Sequence, residues 1–232
     1  MKAHLTIVTG HYGSGKTEFA VNLAVSLARA GQETTLADLD IVNPYFCSRE
    51  RKAELERSGV RAILSAGGNA DLPALNPAVY AMLEPGVYGV MDVGGDPAGA
   101  RVLGRFAARI REIEHELLCV LNFNRPETAT PEKAQRYLRE IERSARLAVT
   151  GLVNNTHLLC DTAAEDVLRG AELAERVSAS TGIPVRYHAA MRRLCPSIHV
   201  QRGELLPLDI YMRKPWETEI EPTEDETTWQ EK

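Results

Sequence analysis

Short apolar runs alternate with longer amphipathic ones from one end of the chain to the other. The strand-like runs lie at 5–9, 34–37, 60–64, 87–92, 117–122, 148–154 and 184–188, and helical periodicity covers 15–30, 49–58, 77–83, 100–114, 131–144 and 163–181. Strictly alternating strands and helices are the mark of βαβ units, so the pattern predicts an α/β fold. Several strands are apolar on successive residues, as in Leu5-Thr6-Ile7-Val8. That suits a mainly parallel sheet covered by helices on both faces, a three-layer arrangement joined by right-handed crossovers. Gly31, Gly59 and Gly182 each close a helical run where a left-handed cap is wanted. No repeat or linker interrupts the alternation, so residues 1–214 read as one domain. Residues 215–232 have no apolar periodicity and read as a disordered tail.

Composition narrows this picture. The 232 residues are 25% charged and 44% hydrophobic, figures of a globular protein with enough apolar mass for a core. No apolar run approaches the ~20 residues of a membrane span, and residues 1–10 lack a charged and apolar leader. A cytoplasmic protein that does not bind membrane is expected. The net charge of −5 is uneven. From Glu217 to Lys232 seven acidic residues face one lysine, a net of −6, which leaves +1 for residues 1–216. A body so close to neutral offers no general nucleic-acid surface. Cys47, Cys119, Cys160 and Cys195 are scattered without a CxxC pair, the pattern of reduced, incidental thiols rather than a zinc site.

The strongest chemical signal is Gly10-His11-Tyr12-Gly13-Ser14-Gly15-Lys16-Thr17, a full G-x-x-x-x-G-K-[ST] match between the first strand and the first helix. Glycines let the backbone curl so that successive N–H groups point at phosphate oxygens, and the helix that follows adds its positive end. Lys16 reaches β- and γ-phosphates, and the Thr17 hydroxyl is a Mg²⁺ ligand. A plain strand-to-helix turn would not need the Lys-Thr pair.

The second strand ends in Asp38-Leu39-Asp40-Ile41-Val42-Asn43-Pro44, at the sheet edge where ligands of open α/β folds bind. Asp38 is a candidate for Mg²⁺ or its waters, and Asp40 for orienting the attacking water. Asp and Asn-Pro also serve as turn formers there. A later strand delivers Asp92-Val93-Gly94-Gly95-Asp96, with Asp92 in the place of a Walker B carboxylate and Gly95 free to sense a γ-phosphate. The strand end at Asn154-Asn155 offers a carboxamide that can pair with an adenine edge; neither is followed by Lys, so the guanine-reading NKxD arrangement is missing. The segment from Asn122 to Thr128 ends another strand, and reads equally as a shaper of the site or as the approach to a helix capped at Thr130-Pro131.

Together these four motifs resemble the MinD/ParA/CobQ division of P-loop NTPases, to which the nitrogenase iron protein and the arsenite-pump ATPase belong. The resemblance runs from about residue 1 to 188 and is closest to nucleotide-binding proteins in which a run like Gly10 to Thr17 precedes one like Asp38-Leu39-Asp40-Ile41-Val42-Asn43-Pro44-Tyr45-Phe46. It implies the P-loop NTPase fold, binding of ATP and Mg²⁺, and slow hydrolysis that works a molecular switch. It also implies that the loop residues Gly10 to Thr17 hold the nucleotide, that Asp38 and Asp40 are switch I, that Asp92 and Gly95 are switch II, and that Asn155 contacts adenine.

Three departures qualify it. Many members carry a signature Lys as the second loop residue, reaching the partner's nucleotide across a dimer; here it is His11. An imidazole is shorter and less constantly charged than an ammonium, which puts a nucleotide-dependent homodimer in question. His11 reads either as a phosphate-facing residue or as an exposed loop position. Residues 96–110 hold no cysteine, so no iron–sulfur cluster is expected, and the acidic end replaces the membrane-binding amphipathic tail of MinD proteins. Besides an ATP-driven switch with an unidentified protein client, two readings stay open. One is a small-molecule ligase or kinase of the dethiobiotin synthetase or CobQ type, with 66–73 lining an acceptor pocket. The other is a metallochaperone-type GTPase.

Overall fold

The computed structural model describes residues 4–39, 49–63, 77–84 and 88–212. Asp40 and the 66–73 segment, both singled out above, lie outside the described residues, as does the tail beyond Met212.

Eight strands form one parallel sheet: β1 (Leu5–Gly10), β2 (Thr34–Asp38), β3 (Val60–Ile63), β4 (Tyr88–Asp92), β5 (His115–Leu121), β6 (Gly151–Asn154), β7 (Val185–Met191) and β8 (Glu204–Leu208). Their order across the sheet is β3-β2-β4-β1-β5-β6-β7-β8, and every neighbouring pair is parallel. The helices are α1 (Lys16–Arg29), α2 (Arg49–Arg57), α3 (Pro77–Ala81), α4 (Pro97–Ile110), α5 (Pro131–Ala145) and α6 (Ala164–Thr181).

Which face each helix covers follows from handedness. From β1 the chain moves one way across the sheet to β2 and β3; from β3 it turns back, and all later steps run the other way. Right-handed crossovers in opposite directions must lie on opposite faces. Accordingly α1 and α2 share a core with Phe19, Leu23, Leu27 and Leu55 buried, while α3 to α6 share the other with Val79, Leu103, Leu138 and Val177 buried. The reversal leaves a crevice at the carboxyl end of β1, where such sheets bind ligands.

Local chemistry sets the element ends. Gly31, Gly59 and Gly182 adopt φ of +83°, +82° and +76°, the left-handed caps expected of them. Helix α4 starts at Pro97, earlier than its apolar pattern, because the Asp96 carboxylate accepts from the Gly99 N–H at 2.6 Å. The strand β8 is absent from the sequence expectation. It is short, carries Pro207 and is only partly buried, and it is admissible because it lies at the sheet edge, where a missing N–H breaks no ladder.

The segment after β8 returns to α1. Asn22 donates to the Asp209 carbonyl at 2.9 Å and accepts from the Asp209 N–H at 2.8 Å. The Glu18 carboxylate accepts from the N–H groups of Tyr211 and Met212 at 2.7 and 3.0 Å, and Arg192 makes a two-pronged ion pair with Asp209. The first turns of the helix that follows the loop are thereby tied to the far end of the described chain.

His188 on β7 holds this edge from the inside. It is buried; its Nε2 lies 2.9 Å from the Arg202 carbonyl and its Nδ1 3.2 Å from the Asn154 amide nitrogen. The neutral ring, donating at Nε2 and accepting at Nδ1, satisfies both. Burial pushes its pKa below the ordinary 6.5, partly offset by the Arg202 carbonyl and by Glu175. The unfolded chain therefore binds more protons, and the contribution of His188 is complete above about pH 6.5 and lost as pH falls through the lower folded value. Urea unfolding between about pH 5.5 and 7.5 is expected to show stability declining with acid, by at most about 1.4 kcal/mol per pH unit per histidine. His188→Gln should flatten that slope; an unchanged slope would remove His188 as its source.

Candidate functional site

The loop between β1 and α1 takes the shape its glycines permit. Gly13 and Gly15 have φ of +75° and +77°, the Ser14 N–H bonds to the His11 carbonyl at 2.9 Å, and the Phe19 N–H bonds to the Gly15 carbonyl at 3.0 Å. This curl aims amide N–H groups inward at the start of a helix, an anion cradle by construction. Ser14 and Lys16 are buried, whereas Tyr12 at the tip is 72% exposed. The Ser14 hydroxyl oxygen is buried without a hydrogen-bond partner among the described residues.

Turning N–H groups inward turns carbonyls outward, and side chains from β5 and β6 meet them. The Gly13 carbonyl accepts from Arg125 Nε at 3.1 Å and from the Asn122 amide at 3.3 Å. The Ser14 carbonyl accepts from the Asn155 amide at 2.8 Å. A Cβ on Gly13 would come within 2.7 Å of Arg125, and one on Gly15 would run into the Asn155 amide nitrogen and approach the His157 ring. Both glycines are thus demanded by packing as well as by φ. Asn122 also braces the β6 loop, its amide donating to the His157 carbonyl at 3.3 Å and its carbonyl oxygen accepting from the His157 N–H at 3.3 Å. Burial first, and the Arg125 cation second, lower the His157 pKa from its ordinary value.

The carboxylates stand on the other side of β1. Thr17 Oγ1 donates to Asp92 Oδ2 at 2.6 Å. Asp38 and Asp92 are register partners at the ends of β2 and β4, both buried. Two carboxylates and a hydroxyl beside a phosphate cradle form an oxygen-rich set suited to a hard divalent cation. Past Asp92 the chain folds tightly onto the loop: a Cβ on Gly95 would collide with the Gly10 carbonyl oxygen. The Gly95 carbonyl accepts from the Tyr137 hydroxyl at 2.7 Å. The ring of Tyr137 meets that of His11 edge-on, with centroids 5.6 Å apart. His11 Nδ1 lies 3.1 Å from the Tyr12 carbonyl and 3.9 Å from Glu127 Oε2.

Gly10, His11, Tyr12, Gly13, Ser14, Gly15, Lys16, Thr17, Asp38, Asp92, Gly95 and Asn155 therefore gather at the carboxyl ends of β1, β2, β4 and β6. In this structure Asn155 braces the loop through Ser14, and Asn154 faces away, donating to the Val167 carbonyl and to His188. Sequence reasoning missed His157 and Tyr137. The first had the weak signal of lying two residues past Asn155; the second is one aromatic on an amphipathic helix and carried none.

A family model described as the CobQ/CobB/MinD/ParA nucleotide binding domain matches residues 5–170. The iron-sulfur cluster carrier protein of Deinococcus radiodurans is 34% identical over 110 residues, which cover 38% of this chain and 31% of that protein. Among solved structures, the cell division protein FtsY of Thermotoga maritima gives a TM-score of 0.52 at 21% identity, over 80% of this chain and 60% of that one. Chloroplast FtsY from Physcomitrella patens gives 0.53 at 20%, over 80% and 58%. At such identities the likeness to FtsY is one of fold. The chain spans about a third of the carrier protein and less than two thirds of these FtsY chains.

Arg125→Ala removes the second cause of the lowered His157 pKa and leaves burial in place. Titrated by its ring resonances in NMR, His157 should move upward from its wild-type value yet stay below 6.5. Nucleotide affinity should fall by about 2- to 10-fold, the weight of one hydrogen bond to the loop. A pKa that stays put or drops would contradict the arrangement.

Proposed function

The chain belongs to the CobQ/CobB/MinD/ParA nucleotide-binding domain family, and from that premise we propose that it is an ATP-binding, slowly hydrolysing molecular switch. The observation that carries the reading is the Thr17 to Asp92 hydrogen bond at the mouth of the loop. It joins the Walker A hydroxyl to the Walker B carboxylate beside a cradle of N–H groups, the pairing that phosphoryl-transfer sites use.

Each part has a physical role. The loop amides and the Lys16 ammonium neutralise the charge of the β- and γ-phosphates. Thr17, Asp92 and Asp38 are the residues that would hold Mg²⁺, which when bound supplies positive charge to the phosphate oxygens. Asp40, two residues past Asp38, is assigned to orient the attacking water. Gly95 is packed so close to Gly10 that a γ-phosphate arriving at the loop must be felt by switch II. Adenine is preferred because the strand end at Asn155 lacks an NKxD arrangement.

The outputs this reading assigns are a protein client and a homodimer under nucleotide control. His11 has its ring against Tyr137 and Nδ1 near Glu127 of its own chain. Any homodimer must then do without a Lys from the second loop position. The carrier protein's name raises metal cargo as another output. Among the described residues no group of three or more His, Cys, Asp or Glu is placed to hold a metal ion, and Cys119 is buried in the core. Among the described residues no helix is long and apolar enough to cross a membrane.

Lys16→Ala should weaken binding of a fluorescent ATP analogue by about 10- to 100-fold, the loss of one charge-assisted contact. Wild-type affinity in that variant would overturn the site assignment. In competition on the wild-type protein, ATP should displace the probe at lower concentration than GTP. A clear preference for GTP would replace the ATP switch with a GTPase.

A further inference from the structure

The Tyr137 hydroxyl is the one polar atom on a helix face that otherwise serves packing. Ala134, Leu138, Ile141 and Ala145 of α5 are buried in the same core as Tyr137, where a phenylalanine would fill the space equally well. What the hydroxyl adds is the 2.7 Å bond to the Gly95 carbonyl, with the Thr9 side chain as a second hydrogen-bonding neighbour. That carbonyl belongs to the peptide following the glycine that lies against Gly10, and the same ring leans edge-on against His11. One side chain thus touches both the phosphate loop and switch II. Burial pushes the phenol pKa far above its ordinary value, so the hydroxyl stays a donor throughout the physiological range.

We propose that Tyr137 is a positioning residue for triphosphate recognition: it holds the Gly95 peptide docked on the loop and so sets the preference for nucleoside triphosphate over diphosphate. This rests on the nucleotide-switch reading. A ligand shifts a conformational equilibrium only through contacts that differ between states. The γ-phosphate is the sole part of the ligand absent from the diphosphate, and the segment nearest the loop on that side is the one Tyr137 clamps. Without the clamp, part of the γ-phosphate's binding energy is spent ordering Gly95. The loop grips the α- and β-phosphates as before.

The test uses the full chain with Tyr137→Phe, which keeps the ring and the packing. Titrations with a fluorescent non-hydrolysable ATP analogue and with fluorescent ADP should show the triphosphate preference falling by about 2- to 10-fold, the range one neutral hydrogen bond allows, with ADP affinity unchanged. In the nucleotide-free protein, amide exchange over 93–99 should quicken in the variant, a change that does not depend on nucleotide at all. An unchanged or increased triphosphate preference, or unchanged exchange, would overturn the proposal. Wild-type protein that binds neither nucleotide would instead overturn the switch reading, and this inference with it. Should the variant fold poorly, 3-fluorotyrosine at position 137 serves: its ¹⁹F resonance should move further with the ATP analogue than with ADP. Equal movement with both would overturn the assignment.

Discussion

A peptide that points its N–H at a phosphate must point its carbonyl the other way, and the nucleotide site depends on how those carbonyls are met. Behind the loop the Gly13 carbonyl is held by Arg125 and Asn122 and the Ser14 carbonyl by Asn155. Left unpaired in a buried place, each would cost about 1–3 kcal/mol. The braces come from the ends of β5 and β6, on one side of β1. The carboxylates come from β2 and β4, on the other. The crevice is therefore a consequence of strand order: β1 must sit between two sets of strands for its loop to be braced from one side and charged from the other.

The same loop is anchored along its helix. Glu18 follows Thr17 directly, and its carboxylate grips two successive N–H groups of the segment after β8, while Asn22, one turn on, pairs with both backbone groups of Asp209. These polar side chains at the start of α1 join the first strand–helix unit to the last strand, so the phosphate loop is built on residues about 190 positions apart in the chain. On the opposite face α5 reaches the site through Tyr137. Helices on both faces of the sheet thus contact the segment at the end of β4, α1 through Thr17 to the Asp92 carboxylate and α5 through Tyr137 to the Gly95 carbonyl.

Much of this was legible in the chain. The alternation of runs placed seven of the eight strands and all six helices of the described residues, because the buried strands are mostly apolar on successive residues and the longer helices carry apolar residues at helical spacing. Gly10 to Thr17, Asp38, Asp92 and Gly95 were visible because their chemistry admits few residue types at fixed spacing. The edge strand β8 was invisible: at Glu204-Leu205-Leu206-Pro207-Leu208 the local signal is weak, and only pairing with β7 makes it a strand.

By itself the sequence determined the fold class, the phosphate loop and the carboxylates that serve it, since these depend on hydrophobic period and on residue types within a few positions of one another. Only the tertiary structure decided that Asp38 and Asp92 stand side by side, that Asn155 braces Ser14, and that Tyr137 joins His11 to Gly95. Those contacts link residues tens of positions apart in the chain. They exist because the crossovers leaving β1 and β5 run in opposite directions and bring distant strand ends to one crevice, a fact of three-dimensional order that no local pattern encodes.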